Sequence, residues 1–392
     1  MKAFITLLLL LTFGFGSELK TLIDFTLKNN PRLKSYENLK MAFEYRSKFS
    51  LSLPNPQVAV AFNNLDTEKF FPRKENPMSS FGLYIAQRYV LPSKRLREAR
   101  IYDQKVSEID RMREVYEKDL IKEVKVLYWE FAYSFEMERI LKDIKREIES
   151  LLEITEEKYR YGKALLSDLI MLRVEMLKVE EKIAEARRIR EVALKKIYAL
   201  AGGEIPLRGS PLEIQPFPKE FDPERNVRVR LTRETVEVLK RELERAKVEH
   251  YPDLFISAGY MIRPDIPDLI TLRLGATVPI WYRDREKMLV LEKTERINSK
   301  LYELEDIKLR VTGDFRALES TYRIKKEILS TVEREIEEKR KEIDALLIAY
   351  RYERTDIREI LRAYRILWSL EFDRARLIKE LNQTVAKAEA LQ

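Results

Sequence analysis

Between Ser93 and Tyr161 the sequence contains neither proline nor glycine, and its apolar residues recur at helical spacing: Ile140, Ile144, Ile148, Leu151, Leu152 and Tyr159. A second such stretch runs from Arg285 to about Tyr352, carrying Ile324, Ile328, Val332, Ile336, Ile343, Leu347 and Tyr350 on one stripe and broken only by Gly313. The pattern predicts two helices of about 68 residues, each about 100 Å long at 1.5 Å per residue. Globular domains seldom need helices of that length. The stripes are narrow, so the helices are expected to pack as coiled coils against similar partners.

Each long helix is expected to turn and return as a shorter one, over 165–201 and 357–391. Gly202-Gly203 ends the first return helix, and Pro206, Pro211, Pro216 and Pro218 mark a connector. Shorter helices are expected over about 31–51 and 224–250. The halves thus share one plan, over 18–211 and 212–392, and their turns align without a gap. Tyr159-Arg160-Tyr161-Gly162-Lys163-Ala164-Leu165-Leu166-Ser167-Asp168-Leu169 matches Tyr350-Arg351-Tyr352-Glu353-Arg354-Thr355-Asp356-Ile357-Arg358-Glu359-Ile360. This predicts a tandem duplication.

Between helices the period changes from that of a helix to two. Residues 57–63 and 81–89 alternate in the first half, and 254–261 and 270–278 in the second. Ile270, Leu272, Leu274, Ala276 and Val278 fall on one face, Thr271, Arg273, Gly275 and Thr277 on the other. Each half therefore holds one β-hairpin, within 55–90 and 253–280. Strands of nine or ten residues are long enough to cross a bilayer at a tilt. A soluble sandwich layer is the alternative, but four strands are too few to close a barrel or cover an apolar face.

Composition narrows the chemistry. Among 392 residues there is no cysteine and a single histidine, His250, so a disulfide framework, a thiolate nucleophile and a Cys/His zinc cage are excluded. No enzyme, cofactor or metal site is expected, and His250 reads as structural. Lys and Arg number 74 against 66 Asp and Glu, a net charge of +8. Acid and base alternate, as in Glu333-Arg334-Glu335-Ile336-Glu337-Glu338-Lys339-Arg340. That is the pattern of solvated helix faces, and no nucleic-acid partner is expected. Residues 1–17 form a short basic start, an apolar run over 3–13 and a small-residue exit, predicting a signal peptide cleaved near Gly16 or Ser17. With no cysteine after it, lipidation there is not expected.

Taken in order, these features resemble the TolC-like outer-membrane efflux proteins, the outer-membrane factors. The matching residues are Leu53-Pro54-Asn55-Pro56 before the first strand and Gln87-Arg88-Tyr89-Val90-Leu91-Pro92-Ser93-Lys94-Arg95 after the second. Tyr251-Pro252-Asp253-Leu254, Val278-Pro279-Ile280-Trp281, Tyr161-Gly162-Lys163-Ala164 and Ser167-Asp168 complete the set. The Pro-Asn-Pro and Leu-Pro-Ser-Lys-Arg segments are similar to the heavy-metal efflux branch.

The resemblance implies a homotrimer: an α-helical tunnel in the periplasm, capped by a barrel of about twelve strands in outer-membrane lipid, four from each protomer. It also implies a passive duct of a tripartite efflux or type I export system, with a periplasmic adaptor and an inner-membrane transporter of RND, ABC or MFS type. The adaptor would meet the turns at Gly162, Lys163, Ala164, Leu165, Ser167, Asp168, Arg354 and Thr355. A periplasmic gate would involve Asp356, Arg358, Glu359 and Arg362. Here the sequence departs from the family, with Arg362 where its best-known member is acidic and Glu353 where the family has glycine. Tyr84, Tyr89, Tyr260, Trp281 and Tyr282 are expected at the membrane interface. Two other readings stay open, a periplasmic adaptor and a coiled-coil cell-surface protein.

Overall fold

The computed structural model describes the chain from Ser17 to Gln392 except residues 66, 68–70, 73–74 and 265. The expected signal peptide and part of the loop between the first two strands lie outside the described residues. The chain is mainly helical with one four-stranded antiparallel sheet. Helices α1 (Ser17–Asn29) and α2 (Pro31–Leu51) lead into strands β1 (Gln57–Asn63) and β2 (Ser80–Tyr89). Helices α3 (Pro92–Arg160) and α4 (Leu166–Ala201) follow. After the proline-rich connector come α5 (Val227–Ala246), β3 (Leu254–Ile262), β4 (Leu269–Ala276), α6 (Glu286–Arg351) and α7 (Ile357–Glu389).

Helix α1 was not among the elements expected from sequence. It ends at Asn30, whose side chain takes hydrogen bonds from the backbone of Arg32 and Leu33 (3.0 and 3.2 Å) and donates to the Leu200 carbonyl at 2.8 Å. One buried side chain thus caps α2 and ties it to the end of α4. Helix α5 is shorter than the predicted 224–250. Its start gives way to a 3-10 turn at Pro223–Arg225 capped by Asp222. Its end tightens into i+3 bonds from Val248 and Glu249 ahead of Pro252, which disfavours helix in the residue before it. Strand β4 stops at Ala276 rather than 278, because Pro279 removes a donor just beyond it.

Two compact units divide the chain, each drawing on both halves of the sequence. The first contains the described residues to Lys34, Glu114–Val227 and Lys308–Gln392. In its core Ile140, Leu141, Ile144, Ile148 and Leu151 of α3 meet Leu172, Val179 and Ala186 of α4 and Ile357, Ile360, Leu361 and Trp368 of α7. Burying each large side chain contributes about 1.5–3 kcal/mol. Helix α6 packs on α7 through Ile336, Ile343, Ala363 and Leu367. A second cluster joins Leu22 and Leu33 to Leu120, Val124, Tyr128, Phe131 and Ile197.

The second unit contains Ser35–Arg113 and Arg228–Ile307, and with them the sheet. Its strand order is β1-β2-β3-β4, so the two predicted hairpins meet side by side through β2 and β3, from Phe81 opposite Ile262 to Tyr89 opposite Leu254.

Candidate functional site

The register sorts the sheet into two unlike faces. Rows such as Val58, Ile85, Ala258, Leu272 and Val60, Leu83, Tyr260, Ile270 share one face. It is apolar and open: Val58, Val60, Phe62, Leu83, Ile85, Ile256, Ile270, Leu272 and Leu274 are each at least half exposed, Leu274 80%. Leaving nine such side chains in water forgoes on the order of 10 kcal/mol, as much as the whole net stability of an ordinary domain. This face is built to contact something other than water. Strands β1 and β4 each pair on one side only among the described residues, leaving two open edges.

The opposite face carries Gln57, Ala59, Ala61, Asn63, Ala86, Ser257, Thr271 and Arg273. Tyr84 lies flat on it, over Gly82 and Gly259. A Cβ at either glycine would come within 2.6 or 2.5 Å of the ring. Tyr84 therefore does not join Tyr260, which is on the apolar face near the β3–β4 turn. Tyr89 is on the apolar face at the other end of the sheet, opposite Leu254. Trp281 and Tyr282 lie beyond β4 in the turn leading to α6, Trp281 70% exposed, and the Tyr282 ring packs edge-on against His250 at 5.6 Å. His250 also meets Tyr251 at 4.5 Å, a packing role. Under this end, Asp253 is buried and accepts from Arg88 at 2.6 Å while pairing with Lys94 at 3.0 Å.

The two helical turns lie in the first unit and repeat one backbone motif. Gly162 (φ +69°) ends α3 in the left-handed conformation, with its amide on Tyr159 and that of Lys163 on Lys158 (2.9 and 2.8 Å). Glu353 (φ +58°) does the same for α6, with its amide on Tyr350 and that of Arg354 on Ala349 (3.2 and 2.9 Å). Both are the hydrogen-bond pattern of the Schellman cap. The next helix is then capped by a carboxylate from either side of the turn. Asp168 accepts from the Leu165 amide at 3.1 Å, whereas Asp356 accepts from the amides of Arg358 and Glu359 at 2.7 and 3.1 Å.

Charged contacts join the two turns. Lys163 reaches Glu353 at 2.5 Å and Arg358 reaches Asp168 at 3.5 Å. The Lys158 ammonium stands 3.8 Å above the Tyr350 ring. Deeper, Arg365 and Lys178 both hold the buried Glu175, at 2.5 and 2.9 Å. Burial pushes that carboxyl's pKa up, but its two cationic partners outweigh burial and leave it below the usual carboxylate range. Trp368 donates its indole N–H to Glu147 at 2.7 Å, and here burial prevails and raises the carboxyl. Glu359 and Arg362 pair with each other at 3.2 Å, with side chains 52% and 72% exposed.

Among the expected docking residues, Gly162, Lys163, Leu165, Ser167 and Arg354 are exposed, Ala164 and Thr355 half-buried, and Asp168 buried as a cap. Tyr161 and Tyr352, at equivalent places in the two turns, are 74% and 73% exposed. The links Lys158–Tyr350, Lys163–Glu353 and Arg365–Glu175 were not foreseen. The aligned turns held their signal, since a lysine or arginine in one half stands against a carboxylate or tyrosine of the other. Among the described residues no group of His, Asp or Glu could hold a metal ion, and no helix is long and apolar enough to cross a membrane.

Solved outer-membrane channels share this fold. The outer-membrane protein VceC from Vibrio cholerae matches with a TM-score of 0.76 at 11% identity, over 95% of this chain and 96% of that one. The open-state MtrE channel of Neisseria gonorrhoeae gives 0.75 at 13% identity, over 95% and 88%. CusC, described for its folding and transmembrane channel formation, gives 0.79 at 12%, over 95% and 92%. No protein-family model and no curated protein matches the chain. The chain has the fold of the TolC-like outer-membrane channels.

Proposed function

We propose that the chain is one protomer of a trimeric outer-membrane channel, a passive, non-enzymatic duct of a tripartite efflux or type I export system. The observation that carries this is the sheet: strands of seven to ten residues, one open apolar face, one mostly small and polar face, and two open edges. Three copies joined β1 to β4 close a barrel of about twelve strands with the apolar face toward lipid and no edge left. The likeness to solved channels over nearly the whole chain supports the same reading. An adaptor inserted in many-stranded domains and a fibrous surface coiled coil both leave such a face without a purpose. The signal peptide over 1–17, cleaved near Gly16 or Ser17, would deliver the chain across the inner membrane, without a lipid anchor.

In this duct the exposed turns around Gly162, Lys163, Leu165, Ser167, Arg354 and Thr355, with Tyr161 and Tyr352, meet the periplasmic adaptor, behind which stands the inner-membrane transporter. Asp356, Arg358, Glu359 and Arg362 form the gate, with Tyr89, Tyr260, Trp281 and Tyr282 at the membrane interface. The repeated caps at Gly162 and Glu353 support a tandem duplication over 18–211 and 212–392. The likeness of Pro54-Asn55-Pro56 and Leu91-Pro92-Ser93-Lys94-Arg95 to the heavy-metal branch supports that branch, and a deletion strain that loses tolerance to drugs but not to metal salts would count against it.

Envelope fractionation tests the main reading. The protein is expected in the outer membrane, released only by detergent and sedimenting as a trimer. A soluble monomer in the periplasmic extract overturns it.

A further inference from the structure

We propose that Arg273 makes the pore prefer anions where it passes through the sheet, an inference that rests on the barrel proposed above. The four strands contain no aspartate or glutamate and two charged residues, Arg88 and Arg273. Both sit on the small, polar face, in adjacent rows. Arg88 shares its row with Phe255 and Gly275, Arg273 its row with Ser257, Ala86 and Gln57.

The two arginines are not equivalent. Arg88 is paired with Asp253 at 2.6 Å, and the same carboxylate also holds the buried Lys94 at 3.0 Å, so this cluster keeps a net positive charge but has its carboxylate fully engaged. Arg273 is exposed and has no ion-pair partner among the described residues, and its row neighbours are uncharged. Toward the other end of the sheet, Asp268 takes its hydrogen bonds from the Tyr260 hydroxyl and the Arg263 amide. Arg273 is thus the strand cation with no carboxylate on it, and the Arg88 cluster one row away adds charge of the same sign. Three copies around the axis form a ring of fixed positive charge between low-dielectric walls, a geometry that focuses the field and enriches counter-ions. At physiological salt the Debye length is about 8 Å, so the ring acts locally, on solutes passing through its own plane. What the ring enriches in its own plane is small anions over cations, carboxylates and phosphate-bearing solutes included.

The experiment is the zero-current potential of the purified protein in a planar bilayer under a KCl gradient. Wild type is expected to show the sign set by chloride. Arg273→Gln should lower the chloride-to-potassium permeability ratio by at least about twofold. Arg273→Glu should lower the ratio further than Arg273→Gln does, and Arg273→Lys should keep it. The side chain is exposed, so the variants should assemble as wild type does, which trimer migration in gels checks. Channels whose ratio is unchanged by both Arg273→Gln and Arg273→Glu overturn the inference and leave the barrel standing. A wild-type protein recovered as a soluble monomer, with no detergent-released trimer to put into the bilayer, overturns the barrel, and this inference with it.

Discussion

Glu353 is the residue whose backbone is least suited to its place. It occupies the left-handed position that glycine fills in the first turn, where a side chain costs about 1 kcal/mol or more of backbone strain. What it gains is the ion pair with Lys163, a solvent-screened contact between the turns. Gly162→Ala should therefore loosen the first turn by about 1 kcal/mol, since nothing lies within 4 Å of the new methyl and the strain is purely conformational. Faster hydrogen exchange of the Lys163 amide, roughly fivefold, is the readout. Glu353→Gly should slow exchange of the Arg354 amide; an unchanged or faster rate means the ion pair outweighs the strain. The exposed Glu359–Arg362 pair belongs to the same scale. If it holds the gate through contacts between protomers, Glu359→Ala with Arg362→Ala raises single-channel conductance, and unchanged conductance assigns the pair to solvated surface.

Helix contacts around α7 set opposite pH dependences. Glu147 is half-buried beside Trp368, and desolvation raises its carboxyl against the hydrogen bond, with Glu371 and Asp143 adding to the rise and Arg340 opposing it. The folded state then takes up its proton at a pH where the unfolded chain is still ionised. This contribution to stability grows as pH falls toward the ordinary glutamate value. Glu147→Gln should flatten that part of the stability-versus-pH curve. Glu175 behaves inversely: its lowered carboxyl contributes above the ordinary value, and that is lost as pH falls through the folded one. Arg365→Ala should cost about 2 kcal/mol, less than breaking a fully buried pair because Lys178 remains, measured by denaturant unfolding in detergent. At this scale the sequence was readable wherever one period ran unopposed. The alternation of β4 and the long stripe of α3 predicted their elements, and exposed Gly313 did not break α6. Helix α1 and the ends of α5 were not readable, because Asn30 and the 3-10 turn act through contacts with residues remote in sequence or through local i+3 bonds. Tyr84 looked like an interface aromatic, since alternation orders residues into faces without saying which ring will fold over a glycine.

For the whole molecule, the two sheet faces make contrary demands on a charge. Leu272→Lys, on the open apolar face, should cost about 2–4 kcal/mol on membrane insertion and deplete the outer-membrane fraction. Thr271→Lys, one position away on the other face, should leave that fraction intact. Equal loss from both would mean the faces do not part lipid from water. The seam between β2 and β3 also imposes an order in time. Arg88 of β2 and Asp253 just ahead of β3, joined by an ion pair, stand 165 positions apart, so a growing chain displays a finished first hairpin with its β2 edge waiting while the next long helices are still being made. Such distant pairing is slow and prone to aggregate. Until the second half arrives, the β2 edge is therefore the place where the growing chain is most open to wrong pairing.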